Sequence, residues 1–373
     1  MTQDKTNKVS NVPPLRFPEF TGEWDKKRLQ EECNFFSGGT PSSSNKEYYE
    51  GDIPFIRSGE IDAQYTELFL TQKGYNSSSA KMVDIGDILL ALYGATSGEI
   101  AISKMHGAIN QAILCIRSPY NNVFVKSVWE KHVQHILQTY LQGGQGNLSA
   151  DIVKKLSFYF PSIREQNKIS KLIASIDQRI STQIRVIEDL QTLKKAISTK
   201  VFTEIKGCNS EKLGSLCSIT TGKLDANAMT EEGQYMFFTC SRENYKTDTF
   251  AYEGEALLIA GNGEIGSVKY YDGKFNAYQR TYVLQNFSEN IKYLQYYIEH
   301  HLPKRVLKEK NVGAMPYIVL STLADMPILL PSENKQNNIV KALQVIENKI
   351  YTEYSVLDQY KQQKQYLLQK MFI

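Results

Sequence analysis

Cysteine is scarce and unpaired in this chain of 373 residues. The five present (Cys33, Cys115, Cys208, Cys217 and Cys240) form no C-x-x-C pair and are odd in number. That argues against a disulfide framework or a structural zinc site, and for a reducing cytoplasm. Long apolar runs are also missing. None approaches the ~20 residues needed to cross a bilayer, and polar Met1 to Asn11 lacks the apolar core of a signal peptide. The expectation is a cytoplasmic protein with no membrane partner. There is no Walker A lysine loop, no G-x-S-x-G elbow and no D/N-P-P-Y/F tetrad, so no catalytic constellation can be assembled. His132 and His135, and the adjacent His300 and His301, have no cysteine or carboxylate cluster at zinc-like spacing, and read as ordinary helix histidines. The chain is therefore expected to be non-catalytic and to hold neither metal nor cofactor.

One G-x-G-x-x-G string does occur, from Gly261 to Gly266. In a dinucleotide site it would open a helix whose N-terminus receives the pyrophosphate. Here strand-like Ser267 to Tyr271 follows, then the turn Asp272-Gly273, so a hairpin loop is the simpler reading. A nucleotide-binding enzyme acting through this loop is one alternative to be tested.

Strong charge bias is lacking as well, since the formal net charge is only +3. Its distribution is more informative. Residues 1–160 hold 16 Lys+Arg against 17 Asp+Glu; residues 161–206 hold 9 against 5; residues 207–330 hold 12 against 14; residues 331–373 hold 6 against 4. The globular parts are not basic in bulk, so any nucleic-acid contact rests on local patches or on other subunits.

What the chain has is a long internal repeat. Gly86 to Gln111 returns as Gly254 to Gln279 at an offset of 168, and Pro161 to Phe202 returns as Pro331 to Phe372 at an offset of 170. Solenoid units run to about 20–50 residues, so this is a duplicated two-part module. The segments are 1–160 (globular), 161–206 (helical), 207–330 (globular) and 331–373 (helical). Leu29 and Gly38 pair with Leu213 and Gly222 at an offset of 184, so the first globular copy is longer. Short β-type runs separated by Gly, Asn and Asp, with one helix in each copy, give an α+β class.

In the helical segments the apolar positions alternate in steps of four and three: Ile169, Ile173, Ile176, Ile180, Ile184, Ile187 and Leu190. The second copy reads Ile339, Leu343, Ile346, Ile350, Tyr354, Leu357 and Tyr360. This is the a/d rhythm of a coiled coil. Both copies carry Lys at one seam position, Lys194 and Lys364. Ser162 and Glu165 have capping-box spacing, which Lys335 breaks in the second copy. Each helix should run about 55–60 Å. Dimerisation through the helices is one reading. The stronger one lays them antiparallel within the chain, giving two similar sheet-rich globular domains in a pseudo-two-fold arrangement.

The copies differ most in their loops, through drift or because two targets are read. Candidate DNA-contacting residues are Arg57, Tyr93, Thr96, Asn110, Gln111, Gln145, Asn147, Arg242, Asn262, Gln279 and Arg280. Asn and Gln can pair with adenine and Arg with guanine. Lys73, Lys81, Lys104, Lys223, Lys246, Lys269 and Lys274 are candidates for phosphate.

In the order of these motifs, the chain resembles the specificity subunits of type I restriction-modification systems. The carriers are Leu15 to Phe20, Gly86 to Leu89, Ala91 to Gly98, Asn110-Gln111 and Pro161 to Gln166. The second half repeats them as Gly254 to Leu257, Tyr278-Gln279 and Pro331 to Gln336. The resemblance implies two target recognition domains, each reading half of a bipartite, asymmetric site in double-stranded DNA, and helices that act as ruler and docking surface. It implies as partners two methyltransferase subunits using S-adenosylmethionine, and restriction-translocase subunits using ATP and Mg. A coiled-coil scaffold without base readout is the alternative.

Overall fold

The isoleucine rhythm becomes two helices of unusual length, Ile163–Thr203 and Glu333–Met371. The computed structural model describes residues 11–140, 148–309 and 317–373; Gln145 and Asn147 lie outside them. The chain divides into two units, residues 1–183 with 356–373, and residues 184–355. Both dividing points fall inside a long helix, so each unit owns half of each helix.

In the first unit, Asp25–Arg28 pairs antiparallel with Ser157–Phe160, the strand that leads into the first long helix. An antiparallel sheet follows in the order Asn34–Ser37, Ile113–Arg117, Ile88–Ala91, Ile100–Ile102. A second sheet runs Phe69–Leu70, Tyr49–Ile56, Gly107–Ile109, Lys81–Val83. It contains one parallel pair, Phe55 opposite Ala108 and Ile56 opposite Ile109.

Strand Ile88–Ala91 is buried throughout because both its faces are covered. Side chains alternate across a strand. Ile88 and Leu90 join the core under helix Asn122–Tyr140, with Trp24, Phe124 and Trp129, while Leu89 and Ala91 join a second core with Ile56 and Ile109. Full burial of a Leu- or Phe-sized side chain contributes about 1.5–3 kcal/mol, so this strand anchors both layers. The first core also takes in Ile169 and Ile173 of the first long helix, Leu368 and Met371 of the second, and Phe372 just beyond it.

The second unit repeats the plan. Asn209–Lys212 pairs with Pro327–Leu330. A sheet runs Ser218–Thr221, Thr281–Gln285, Glu255–Ala260, Val268–Asp272, and a smaller one runs Tyr245–Thr247, Tyr235–Phe238, Phe275–Ala277. The parallel pair recurs as Met236 opposite Phe275 and Phe238 opposite Ala277. Leu257 and Ile259 face helix Ile291–Glu309, and Ala256 and Leu258 face Phe238 and Phe275. The α+β class and the duplicated frame expected from the sequence are both present.

Within each unit the two half-helices run antiparallel. In the first, Lys364 Nζ lies 2.8 Å from Asp177, and Arg179 sits 5.9 Å from the Tyr360 ring. Two residues forward on one helix thus match four back on the other. In the second, Gln191 donates to Tyr354 Oη at 3.0 Å and Lys194 to Glu347 at 2.8 Å. Ile169, Ile173, Ile176, Ile339 and Leu343 are buried, and Ile180, Ile346 and Ile350 half-buried. Two expected seam positions depart from the rhythm: Ile184 is 40% and Tyr354 48% exposed.

The capping box is also corrected. Ser162 Oγ does accept the Glu165 N–H, at 3.4 Å. The Glu165 carboxylate, however, turns away from the cap and receives Nε and Nη2 of Arg16, both at 2.7 Å, with Trp24 Nε1 at 3.4 Å. A bidentate charged pair in a buried setting outcompetes a single backbone N–H at a helix start. The GxGxxG string joins Glu255–Ala260 to Val268–Asp272, which pair antiparallel, so it is a hairpin loop.

Candidate nucleic-acid interface

In each unit the parallel strand pair sends two chains out at the same edge. In the first, Ile56 is followed by Arg57 and Ile109 by Asn110. In the second, Phe238 leads into residues 239–244 and Ala277 into Tyr278-Gln279-Arg280. Most candidate residues lie on these exits or on the adjoining hairpin loops, 93–98 and 261–266.

Two glycines hold this edge together. Gly38 donates to the Asn110 carbonyl at 3.2 Å and Gly222 to the Thr281 carbonyl at 3.0 Å. A Cβ on Gly38 would stand 1.7 Å from Ile109 O, and one on Gly222 2.1 Å from Ala277 O. Ile109 and Ala277 are themselves equivalent at the 168 offset, so the close approach is duplicated. Beyond it, Thr40 Oγ1 donates to Gln111 Oε1 at 2.6 Å in the first unit, and the Gln279 N–H donates to the Leu224 carbonyl at 2.9 Å in the second.

The first-unit residues are mostly tied to their own loops. Arg57 gives Nη2 to Glu60 Oε1 at 2.6 Å and Nε to Oε2 at 3.1 Å, with Glu67 at 3.5 Å. Asn110 Oδ1 accepts the Ala112 N–H at 3.0 Å, so its acceptor holds the turn. Tyr93 is exposed and Thr96 half-buried, flanking and ending the short turn Gly94–Thr96.

In the second unit four candidates converge. The Arg280 carbonyl accepts from Gly261 N–H at 3.0 Å and Cys240 Sγ at 3.2 Å, and the Cys240 carbonyl accepts from Glu264 N–H at 2.9 Å. Asn262 lies between these anchors, half-buried, and Gln279 and Arg280 are exposed. Arg242 Nε donates to Glu264 Oε2 at 2.8 Å.

Three of the lysines proposed for phosphate have partners of their own within the chain. Lys269 donates to the carbonyls of Ser241, Arg242 and Glu243 and to Asn244 Oδ1, at 2.9–3.3 Å. Burial pulls its pKa below the usual lysine value. Lys73 pairs with Glu47, and Lys104 with Asp62. Lys81, Lys223 and Lys246 are exposed, and Lys274 lies 4.7 Å from the Phe250 ring. Glu60, Glu264 and Thr40 escaped the sequence reading. Their partners are 3, 22 and 71 residues away, and only the sheet brings the distant ones near. His132 Nδ1 lies 2.8 Å from the Val128 carbonyl, and His300 and His301 lie 5.4 and 5.9 Å from the Phe202 ring, tilted and edge-on.

The same frame carries different chemistry in its two copies. At the 168 offset, Glu264, Lys269 and Arg280 of the second unit correspond to Thr96, Ala101 and Ala112 of the first. One duplicated frame thus presents unlike side chains at equivalent positions, and comparison with known proteins identifies the family. The type I restriction modification DNA specificity domain matches residues 21–190 and again 206–359. The chain belongs to that family.

It is similar to the EcoDI specificity subunit of Escherichia coli, at 36% identity over 148 residues, spanning 40% of this chain and only 33% of that protein. It is also similar to the MjaIX specificity subunit of Methanocaldococcus jannaschii, at 21% identity, spanning 89% of this chain and 87% of that one. Among solved structures, the type I S subunit of M. genitalium shares the fold with a TM-score of 0.62 at 15% identity, covering 97% of this chain and 99% of that one.

Proposed function

We propose that this chain is the DNA-reading subunit of a type I restriction-modification complex. Each unit reads one half of a bipartite, asymmetric duplex site. The long helices set the spacing between half-sites and dock two methyltransferase subunits. Adenine methylation from S-adenosylmethionine, and ATP- and Mg-dependent translocation and cleavage, belong to partner subunits, so the chain itself performs no chemistry. Its place is the cytoplasm, with the DNA.

The observation that carries this reading is the duplicated edge. Parallel strand exits are locked by Gly38 and Gly222 and fitted with Arg57, Asn110 and Gln111 in one copy, and with Arg242, Gln279 and Arg280 in the other. Such side chains discriminate base edges in the major groove. The near-neutral globular segments predict weak binding by the isolated chain, because phosphate neutralisation supplies most non-specific affinity.

Selection from a random duplex pool tests the proposal. The chain assembled with its methyltransferase subunits should enrich one sequence made of two unlike half-sites around an unread spacer. Enrichment of nothing, or of a single continuous site, contradicts it.

A further inference from the structure

Two arginines leave the parallel strand pairs, and their settings differ. Arg57 is 44% exposed and gives both Nε and Nη2 to Glu60, with Glu67 as a second acid nearby. Two carboxylates fold that guanidinium back onto its own loop. Arg242 is 84% exposed, and its ion pair with Glu264 uses Nε. That geometry leaves the Nη1/Nη2 edge directed away from the brace, as a two-donor fork.

The loop beneath Arg242 is fixed from two sides. Lys269, on strand Val268–Asp272, ties three successive carbonyls, those of Ser241, Arg242 and Glu243, to one ammonium and adds Asn244 Oδ1. The Cys240 carbonyl accepts from the Glu264 backbone. The carboxylate that aims Arg242 is thus anchored to the loop that carries it. Preorganisation of this kind lowers the entropy lost on binding.

The neighbouring charges choose between a base and a phosphate. Glu264 sits on the guanidinium, and Glu243, hydrogen-bonded to Tyr245 Oη, lies one residue along. The Glu264 carboxylate on that guanidinium repels a backbone phosphate, whereas the neutral acceptors on a base edge incur no such penalty. We infer that Arg242 reads a guanine in the second half-site, its Nη1/Nη2 fork meeting O6 and N7 in the major groove, with Glu264 and Lys269 as positioning residues. The inference rests on the DNA-reading function proposed above.

The test uses the full chain in its methyltransferase assembly, with binding selection on parent and variants. Arg242→Gln should lose roughly 10- to 100-fold of its preference for guanine at one position of the second half-site, with the first half-site unchanged. Arg242→Lys, which keeps the charge and removes the fork, should lose the same preference while still binding DNA. Glu264→Gln and Lys269→Met should weaken preference at that same position, and Arg242→Gln with Glu264→Gln should be no worse than Arg242→Gln alone. A uniform loss across all sequences with a shallower salt dependence would identify a phosphate contact and overturn the inference. Unchanged preference in Arg242→Gln would overturn it too. Failure of the underlying function would look different, because the parent assembly would then select no sequence.

Discussion

Gly38 and Gly222 make the tightest demands on side-chain identity. A methyl group at either would overlap a carbonyl of the next strand, not a movable side chain. Gly222→Ala should cost about 1–3 kcal/mol through forced backbone shifts, read as a lowered urea midpoint. Gly59→Ala, where a Cβ meets nothing within 4 Å, should stay within about 0.5 kcal/mol of the parent. Glu165 is the third such residue, at 1% exposure and paired with Arg16. Glu165→Gln breaks a buried ion pair and should cost about 3–5 kcal/mol. The glycine pair was legible in the sequence as a repeat marker, but the carbonyl opposite it was not, because register between strands 71 residues apart leaves no local signature. Glu165 was misread for the same reason: its spacing to Ser162 fits a cap, while its stronger partner lies 149 residues away.

At the scale of elements, the seam lysines are the informative case. Lys194 joins Glu347 and Glu299 in the second unit, and Lys364 joins Asp177 and Glu130 in the first. The two sets are equivalent: Asp177 matches Glu347 at 170 and Glu130 matches Glu299 at 169. Burial works against the charge of both lysines, but the acids outweigh it and raise each pKa. Removing Lys194 as Lys194→Met and Glu347 as Glu347→Met should show a coupling of about 0.5–3 kcal/mol in a double-mutant cycle. The heptad rhythm and the matching lysines could be read from sequence. The acids could not, since Glu130 and Glu299 arrive from the shorter helices of the globular parts. The exposure of Ile184 and Tyr354 shows where the rhythm overstates packing.

Helix Ile291–Glu309 adds a pH dependence. Burial pushes His301 down to about 4, with His300 and Lys304 adding to the effect. A histidine depressed below its unfolded value of ~6.5 is held neutral by the fold. Its contribution is therefore full above about pH 6.5 and is lost as pH falls toward 4. Melting temperature should drop over that window, and His301→Phe should flatten the drop. An equal drop in the variant would place the titrating group elsewhere.

For the whole molecule, the duplication carries the function. Two copies of one frame share their glycine locks, their parallel pair and their polar clips. Asn121 with Asn167 recurs as Asn290 with Asn337, at 2.8 and 3.0 Å. They differ at the loops and beside them: Glu264 and Arg280 stand against Thr96 and Ala112 in the loops, and Lys269 against Ala101 on the adjoining strand. The frame was readable from the sequence because repeated packing constraints preserve spacing. The candidate contact residues were only partly readable, because their side chains take partners set by the sheet. If the long helices act as a ruler, deleting one turn, four residues between Ile176 and Leu190, should change the spacer or abolish binding. Unchanged spacing would count against that role.

Genome-wide mapping of methylated adenines tests the central claim most directly, in cells carrying the chain with its methyltransferase and then a version whose residues 24–160 come from another family member. The account predicts a bipartite motif in the first case, and in the second a motif with one half replaced and the other half retained. A motif left wholly unchanged, or altered in both halves, would contradict it.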